Sequence, residues 1–236
     1  MKEIVPALLE KDFKEIKNKL AFLKGRVKTV SIDFCDGIAV PNQTWPFASG
    51  GFEDRDFKKI VNEEEGMPYW QDFDFEFDTM DVHAVENFDI YLQLGPKRII
   101  FYLPAQKDLE EFGQFLEGID NYVRDNTEIG ISFRPSDDLE LISRLSYKVD
   151  FLHCMNSDKV GFQGAGVTFD ERVLENVKIL KEKLPDIVIS SDIGINFENA
   201  PRLLKAGVDR LSIGSSIWKA PDPIGALEKF HSLISG

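Results

Sequence analysis

A carboxylate, Asp33, lies where an alternating apolar segment runs into a long loop. At the start of the segment 30–44, apolar side chains alternate with Ser31 and Asp33, which predicts a short strand with these two polar residues on one face. The alternation ends at Asp36-Gly37, a turn-forming pair. In open α/β folds and barrels the catalytic residues lie at the carboxyl ends of the strands, so Asp33 is a candidate catalytic residue. Taken alone, Asp33 is explained more simply as a surface or turn-capping carboxylate.

The same arrangement recurs at later predicted strands. Asp78 and Met80 come at the end of the third strand, His153 and Met155 at the end of the sixth, and Asp192 after the seventh. Carboxylates that converge on one mouth repel each other by roughly 4 kcal/mol per pair at about 4 Å and an effective dielectric constant near 20. A bound cation, a shared proton or nearby Lys and Arg side chains must therefore offset the repulsion.

The third predicted strand is strictly alternating. Residues 72–78 place four acidic groups on one face and three phenylalanines on the other, and the phenylalanines are expected to pack under outer helices. If Asp78 points into the mouth of a barrel, Glu76 lies deeper on the same face and requires a Lys or Arg partner. The alternative is an exposed strand with a solvated acidic face.

Glycine-rich turns follow the last three strands. Gly161 and Gly164 come after the sixth strand, Gly194 after the seventh, and Gly214 with Ser215 after the eighth. Glycines let backbone N–H groups approach phosphate oxygens, and helix N-termini add positive potential. Each turn is also an ordinary connector, but together they predict a phosphate-binding site late in the chain.

Composition limits the class of protein. With 236 residues, 43% hydrophobic and 29% charged, the chain is long enough for one substantial core, and a single domain over residues 1–236 is expected. No run of about 18 apolar residues and no charged-then-apolar leader occurs, which predicts a soluble protein without a membrane span or signal peptide. Two cysteines, Cys35 and Cys154, cannot build a disulfide framework, so a cytoplasmic location is expected.

The net charge of −13 argues against a nucleic-acid partner, because phosphate backbones need clustered Lys and Arg. An anionic small molecule would have to be held by local dipoles against this overall field.

Strand and helix patterns alternate along the whole chain. The predicted strands are residues 4–6, 29–33, 73–77, 98–103, 129–133, 149–154, 187–191 and 210–213. The predicted helices cover about 12–23, 56–64, 81–94, 109–123, 139–145, 170–183, 199–205 and 223–234. Eight strand-then-helix units predict an α/β protein with a single (β/α)8 TIM barrel, and a doubly wound open sheet is the alternative.

Five segments of the chain match known sequence motifs. They are Val5–Leu9 with Asp12-Phe13 (motif P-S-I-L-x-x-D-F), Asp33–Gly37 with Val40–Asn42 (D-V-M-D-G-x-F-V-P-N), Met155 with Gly161–Gly164 (M-x-V-x-P-G-F-G-G-Q), Asp192–Asn196 (D-G-G-I-N), and Ala206–Asp209 with Gly214–Trp218 (A-G-A-D…G-S-A-I-F). In these motifs the chain resembles the ribulose-phosphate 3-epimerase family. The likeness runs along essentially the whole chain in the family's order, with about one extra residue in the loop after Met155.

The resemblance implies a reaction and roles for residues. Such epimerases interconvert D-ribulose 5-phosphate and D-xylulose 5-phosphate by removing the C3 proton and returning it on the opposite face through an enediolate. Asp33 and Asp192 match the acid and base, a divalent metal stabilises the enediolate oxygens, and Met80 and Met155 match residues that shield the intermediate from water. Ala7 stands where the family has a pocket serine. Family members usually associate, so a homo-oligomer, a dimer or larger, is expected.

The chain departs from the family at the metal site. Ser31 and Asp78 stand in place of two histidines, so a metal set of Ser31, Asp33, Asp78 and Asp192 would offer only oxygens and favour Mg²⁺ or Mn²⁺ over Zn²⁺ or Fe²⁺. A shifted register would instead bring in His83. The alternative is that no metal binds and the carboxylates are neutralised by protons or by Lys and Arg.

Three functions therefore remain open. The first is a sugar-phosphate epimerase with a changed metal site. The second is another sugar-phosphate isomerase, aldolase or decarboxylase on the same barrel. The third is a catalytically silent relative that binds a metabolite or a partner protein. Ile193 stands where the family has a glycine beside the phosphate site. Glycine keeps this backbone position open, so the replacement bears on all three functions.

Overall fold

The computed structural model describes residues 2–162 and 167–235. In these segments, eight parallel strands follow one another in chain order around a closed barrel, with helices between them. The predicted (β/α)8 TIM barrel is therefore confirmed, and the open-sheet alternative is excluded. The strands are β1 (Glu3–Leu8), β2 (Thr29–Cys35), β3 (Asp74–Met80), β4 (Arg98–Tyr102), β5 (Glu128–Phe133), β6 (Phe151–Met155), β7 (Val188–Asp192) and β8 (Arg210–Ile213).

Helices cover the strands in the order expected for this fold. The α-helices are α1 (Phe13–Leu23), α2 (Arg55–Val61), α3 (Phe88–Leu92), α4 (Leu109–Gly118), α5 (Asn121–Asn126), α6 (Leu139–Leu145), α7 (Arg172–Lys183), α8 (Ala200–Ala206), α9 (Ser215–Trp218) and α10 (Pro223–Ile234). No helix in the described segments has both the length and the apolar character needed to cross a membrane.

Helix α1 shows how the sequence pattern produces these elements. The Asp12 carboxylate accepts a hydrogen bond from the Glu15 N–H at 2.9 Å and so caps the first turn. The apolar stripe Phe13, Ile16, Leu20 and Leu23 is fully buried, as its spacing predicts. Burial of each such side chain contributes about 1.5–3 kcal/mol, so packing of this face stabilises the helix more than its intrinsic propensity does.

Internal contacts group the chain into two compact units, residues 1–7 with 130–236 and residues 8–129. In the unit 8–129, β3 lies between β2 and β4, and the register places Asp33 beside Asp78. In the other unit, β6 pairs with β7, β7 with β8, and β8 with β1, and the register places Met155 beside Asp192. That residues 1–236 form one domain stays a prediction.

The helix predicted over residues 81–94 is mostly absent. Only Phe88–Leu92 is α-helical, because Asp81 directs the residues between itself and Phe88 into a turn. Its carboxylate accepts hydrogen bonds from the His83 N–H, the Asn87 amide and the Tyr91 hydroxyl, at 2.9, 2.7 and 2.6 Å. Such side-chain bonds to a nearby backbone compete with helix formation, and the apolar periodicity did not reveal them.

The single helix predicted over residues 109–123 is two helices. Helix α4 ends at Gly118, Ile119 is extended, and the Asp120 carboxylate caps α5 through the Tyr122 N–H at 2.7 Å.

The predicted third strand, 73–77, was too short at its carboxyl end, because β3 extends to Met80. Asp78 and Met80 therefore belong to β3 itself rather than to the loop after it, and the strand backbone fixes their direction.

Candidate functional site

Acidic and hydroxyl side chains of β2 and β3 lie side by side in the unit 8–129. The strand register pairs Asp33 with Asp78, and Ser31 with Glu76. All four residues are buried, with at most 3% of their surface exposed. Asp33 is therefore not a surface carboxylate, and the interpretation of β3 as a strand with a solvated acidic face is wrong.

Glu76 has the basic partner that its buried position requires. Arg98 Nη1 lies 3.4 Å from Glu76 Oε2, and Arg98 Nε lies 3.3 Å from Glu128 Oε2. Glu76 is 1% exposed and Arg98 8% exposed, so this pair lies in a low-dielectric region, whereas the Glu128 side chain is 34% exposed. This arrangement confirms the predicted partner and gives Glu76 a role in folding.

Negative potential is concentrated at the carboxyl ends of β2 and β3. Burial raises the pKa of the Cys35 thiol well above its usual value, and the carboxylates of Asp33 and Asp78 raise it further. Cys35 and Met80 are adjacent in the register and fully buried. The end of these strands thus combines an apolar lining with charges that favour a cation.

The hydroxyl of Thr44 braces the backbone around Asp33. Its Oγ1 accepts a hydrogen bond from the Cys35 N–H at 2.9 Å and donates one to the Asp33 carbonyl. The Thr44 N–H also donates to the Cys35 carbonyl at 3.1 Å. Thr44 is fully buried, so these bonds are shielded from water and fix the direction of the Asp33 side chain.

We expect Thr44→Val to lower the free energy of unfolding by about 1–3 kcal/mol, because two buried backbone groups lose this hydroxyl while the shape is kept. Urea denaturation measures the change. Thr44→Ser retains the hydroxyl and is the matched control, with a smaller expected loss. A loss in Thr44→Val no larger than that in Thr44→Ser would contradict the role given to the hydroxyl.

The other unit contributes residues from β6 and β7. His153 and Met155 alternate to the same face of β6, where His153 pairs in register with Ser190 and Met155 with Asp192. His153 is 1% exposed. Burial, and then the positive charge of Arg210, lower the pKa of His153 to about 3. The imidazole is therefore neutral near pH 7 and offers a ring nitrogen as an acceptor or metal ligand.

His153 and Asp192, in the same unit, can together hold a metal ion. Each offers one ligand atom, and these atoms lie within 4.8 Å of each other. An imidazole nitrogen and a carboxylate oxygen suit divalent transition metals, so these residues fit the cation that the resemblance implies. Asp192 was predicted as a ligand, whereas His153 was not. The ligand roles of Ser31, Asp33 and Asp78 stay predictions.

The sequence placed His153 at a strand end but did not predict it as a metal ligand, because the family motifs have their histidines at the positions of Ser31 and Asp78. Alternation along β6 was the available indication, since it places His153 on the same face as Met155. The alternative histidine, His83, is 60% exposed and lies 3.7 Å from Glu86, so a shifted register that brings it into the site is excluded.

The predicted phosphate-binding turns lie in the same unit as His153. Ile193 and Gly194 both have positive φ, at 74° and 66°, and Gly194 is exposed with open space where a side chain would be. The Ser216 hydroxyl donates to the Ile195 carbonyl and so joins the β7 loop to α9. Gly214 and Ser215 are half-buried and exposed, respectively. Gly194 and Ser215 are thus at the surface, whereas the Ile193 N–H already donates to the Asp192 carboxylate.

Two other predicted glycines lie in the loop after β6. Gly161 has a φ of 78° and is half-buried, and Gly164 lies outside the described residues. The predicted pocket residues are all buried: Ala7, whose carbonyl accepts a hydrogen bond from Trp218 Nε1 at 2.8 Å, Met80 and Met155. Phosphate and pocket roles stay predictions for these residues.

Ile193 adopts a backbone conformation that strains a β-branched residue. A left-handed conformation costs about 1–2 kcal/mol for a residue with a side chain, and glycine adopts it without this cost. We expect Ile193→Gly to raise the free energy of unfolding by about 0.5–1 kcal/mol, because the extra freedom of glycine in the unfolded chain offsets part of the gain. Thermal denaturation measures it, and a clear loss of stability would contradict the strain.

Comparisons with known proteins identify relatives of this chain. A family model described as the ribulose-phosphate 3 epimerase family matches residues 3–218. A ribulose-phosphate 3-epimerase from Aquifex aeolicus (strain VF5) is 25% identical over 244 residues, covering 99% of this chain and 97% of its own length. A ribulose-phosphate 3-epimerase from Bacillus subtilis (strain 168) is 24% identical over 243 residues, covering 98% and 99%.

Solved structures share the fold at lower identity. KGPDC from Streptococcus mutans has a TM-score of 0.68 and 15% identity, covering 99% of this chain and 97% of that one. A 3-hexulose-6-phosphate synthase from Salmonella typhimurium has a TM-score of 0.68 and 16% identity, covering 99% and 98%. At this identity the structures support the fold alone. The family model, which spans nearly the whole chain, shows more: this chain belongs to the ribulose-phosphate 3 epimerase family.

Proposed function

We propose that the chain is a ribulose-phosphate 3-epimerase-like isomerase that acts on a pentulose 5-phosphate or a related sugar phosphate. The observation that carries the proposal is the proximity of two possible metal ligands, His153 and Asp192, in a chain of the epimerase family. A further buried strand carboxylate, Asp33, is a second candidate for proton transfer. The relatives named above as epimerases match this chain over nearly its full length, which supports the same reaction class.

In this reaction, Asp33 and Asp192 are the acid and base on opposite faces of the substrate. One carboxylate removes the C3 proton, the C–H electron pair forms a C2–C3 double bond, and the carbonyl oxygen takes up the negative charge. The other residue then donates a proton to the opposite face of C3, and the carbonyl re-forms. Asp33 is 3% exposed, and such a water-excluded setting supports a role in proton transfer.

Charge that develops on the substrate oxygens requires an electrophile. A divalent cation bound at Asp192 would stabilise the enediolate oxygens. Met80, which pairs in register with Cys35, and Met155, which pairs with Asp192, are both buried and would keep water from the intermediate. Gly194, Gly214 and Ser215 would hold the phosphate with backbone N–H groups, consistent with the open left-handed turn at Gly194.

The experiment is conversion of D-ribulose 5-phosphate to D-xylulose 5-phosphate, followed by NMR. The protein is stripped of metal and then supplied separately with Mg²⁺, Mn²⁺, Co²⁺ or Zn²⁺. Formation of the epimer with at least one cation, and not with the stripped protein, is the expected result. Absence of conversion with every cation would contradict the proposal.

A panel of sugar phosphates in a thermal-shift assay separates the two other functions. Selective stabilisation by a different phosphorylated sugar or acid, followed by its turnover, would identify another isomerase, aldolase or decarboxylase on this barrel. Binding without turnover of any member would identify a silent homologue. The replacement of two family histidines by Ser31 and Asp78 is the observation that keeps both functions open.

A further inference from the structure

A row of polar side chains crosses the interior of the sheet beneath Met155 and Asp192. The register places His153 between Ser132 on β5 and Ser190 on β7. Ser132 is fully buried and Ser190 is 2% exposed, and neither hydroxyl has a hydrogen-bond partner among the described residues. A buried hydroxyl without a partner costs about 1–3 kcal/mol, so two of them beside one imidazole indicate a site built for a polar ligand.

An aromatic ring fills the layer below His153. The layer below is already filled by Phe151, whose ring occupies the space that a side chain on Gly130 would need: an added Cβ there would lie 2.5 Å from the ring. The Arg210 guanidinium covers the same ring at 5.1 Å from its centroid. An apolar side chain would pack above Phe151 without the cost of burying an imidazole.

The ligand atoms of His153 and Asp192 lie within 4.8 Å of each other, on faces of adjacent strands that also carry the Ser190 hydroxyl. A cation between them would bind the ring nitrogen and the carboxylate directly. The serine hydroxyls could then hydrogen-bond to its water ligands, which would satisfy them.

We infer that His153 is the nitrogen ligand of the divalent cation in this site. The chain thus takes its nitrogen donor from β6, whereas the resemblance places the family's histidines at the positions of Ser31 and Asp78. The inference deepens the proposed function and rests on it for the role of the cation, but the binding itself is measurable without a substrate.

The donor set changes the expected metal. An imidazole with carboxylates favours Mn²⁺, Fe²⁺, Co²⁺ or Zn²⁺, whereas carboxylates and a hydroxyl alone favour Mg²⁺ or Mn²⁺. His153→Gln removes the nitrogen at similar volume. Because changes to the partners of metal ligands cost about 10–100-fold in affinity, loss of the ligand itself should weaken Co²⁺ binding by at least about 100-fold. Binding of Mg²⁺, which is already weak, should change much less.

The experiment titrates the metal-free protein with Co²⁺ and follows visible absorption and calorimetry. The wild type should bind one Co²⁺, and His153→Gln should lose both the affinity for Co²⁺ and the absorption band. His83→Gln changes an exposed histidine and is the control, which should behave like the wild type. An unchanged titration of His153→Gln, or the absence of Co²⁺ binding by the wild type, overturns the inference.

A second measurement avoids dependence on the folding of the variant. The chain has three histidines, so the ring NMR signals of the wild type can be assigned with His83→Gln and His231→Gln. Co²⁺ should shift or broaden the His153 signal and leave the other two unaffected; an unaffected His153 signal overturns the inference. A parallel epimerase assay separates the two failures: bound Co²⁺ at His153 without turnover contradicts the proposed function alone.

Discussion

Replacing Asp33 with Asn is expected to lower the rate of pentulose 5-phosphate epimerisation by about 10²–10⁴-fold, because the amide cannot accept or return the C3 proton. Asp192→Asn should cause a loss of at least this size, since Asp192 also belongs to the group that can hold the cation. Asp125→Asn, at an exposed position on α5, is the matched control and should keep the wild-type rate. Metal content is measured on the same samples.

The two variants also test whether the carboxylates act on opposite faces. With only Asp192 left, the epimer whose C3 proton faces it should still exchange that proton with solvent, although it cannot be converted. The other epimer should not exchange in this variant. Asp192→Asn, in samples that retain the metal, should exchange the C3 proton of the other epimer instead. Exchange of both epimers at the same rate in each variant would contradict a mechanism with one residue on each face.

Glu76→Gln is expected to lower the free energy of unfolding by about 3–5 kcal/mol, because it leaves the buried Arg98 without this carboxylate. Denaturation in urea, with the slope checked for two-state behaviour, measures the change. Glu53 forms an ion pair with Lys58 at the surface, and Glu53→Gln is the control with an expected loss of about 1 kcal/mol or less.

The double variant Glu76→Met with Arg98→Met tests the physical reason for the loss of stability expected in Glu76→Gln. Replacing both partners of a buried ion pair by apolar residues is often neutral, whereas removing one leaves an uncompensated charge. We therefore expect the double variant to be more stable than Glu76→Gln. If Glu76→Gln is as mild as Glu53→Gln, the pair does not contribute to stability in the way described.

The fold was predictable because its signals are local. Alternation within β3, the stripe on α1 and the regular succession of strands and helices each follow from short segments of sequence. The errors occurred where a side chain redirects the backbone. Asp81 accepts three hydrogen bonds that replace the start of a helix, and Asp120 begins a new helix within one apolar pattern. Periodicity does not report such bonds.

The site was predictable only in part. Buried Asp33 and Asp78 follow from the strand pattern and from the resemblance, and both lie where the register predicts them. The approach of His153 to Asp192 depends on the pairing of β6 with β7, which no local pattern contains. The positive φ of Ile193 is a further feature that the sequence did not reveal, because glycine is the residue that normally indicates it.

Deuterium incorporation at C3 of D-ribulose 5-phosphate tests the central claim most directly. The wild-type protein, stripped and reloaded with Mn²⁺ or Co²⁺ in D₂O, is followed by proton NMR. Loss of the C3 proton signal together with appearance of C3-deuterated D-xylulose 5-phosphate is the predicted result. A C3 proton that persists in the metal-loaded protein at the rate of the substrate alone would contradict the account.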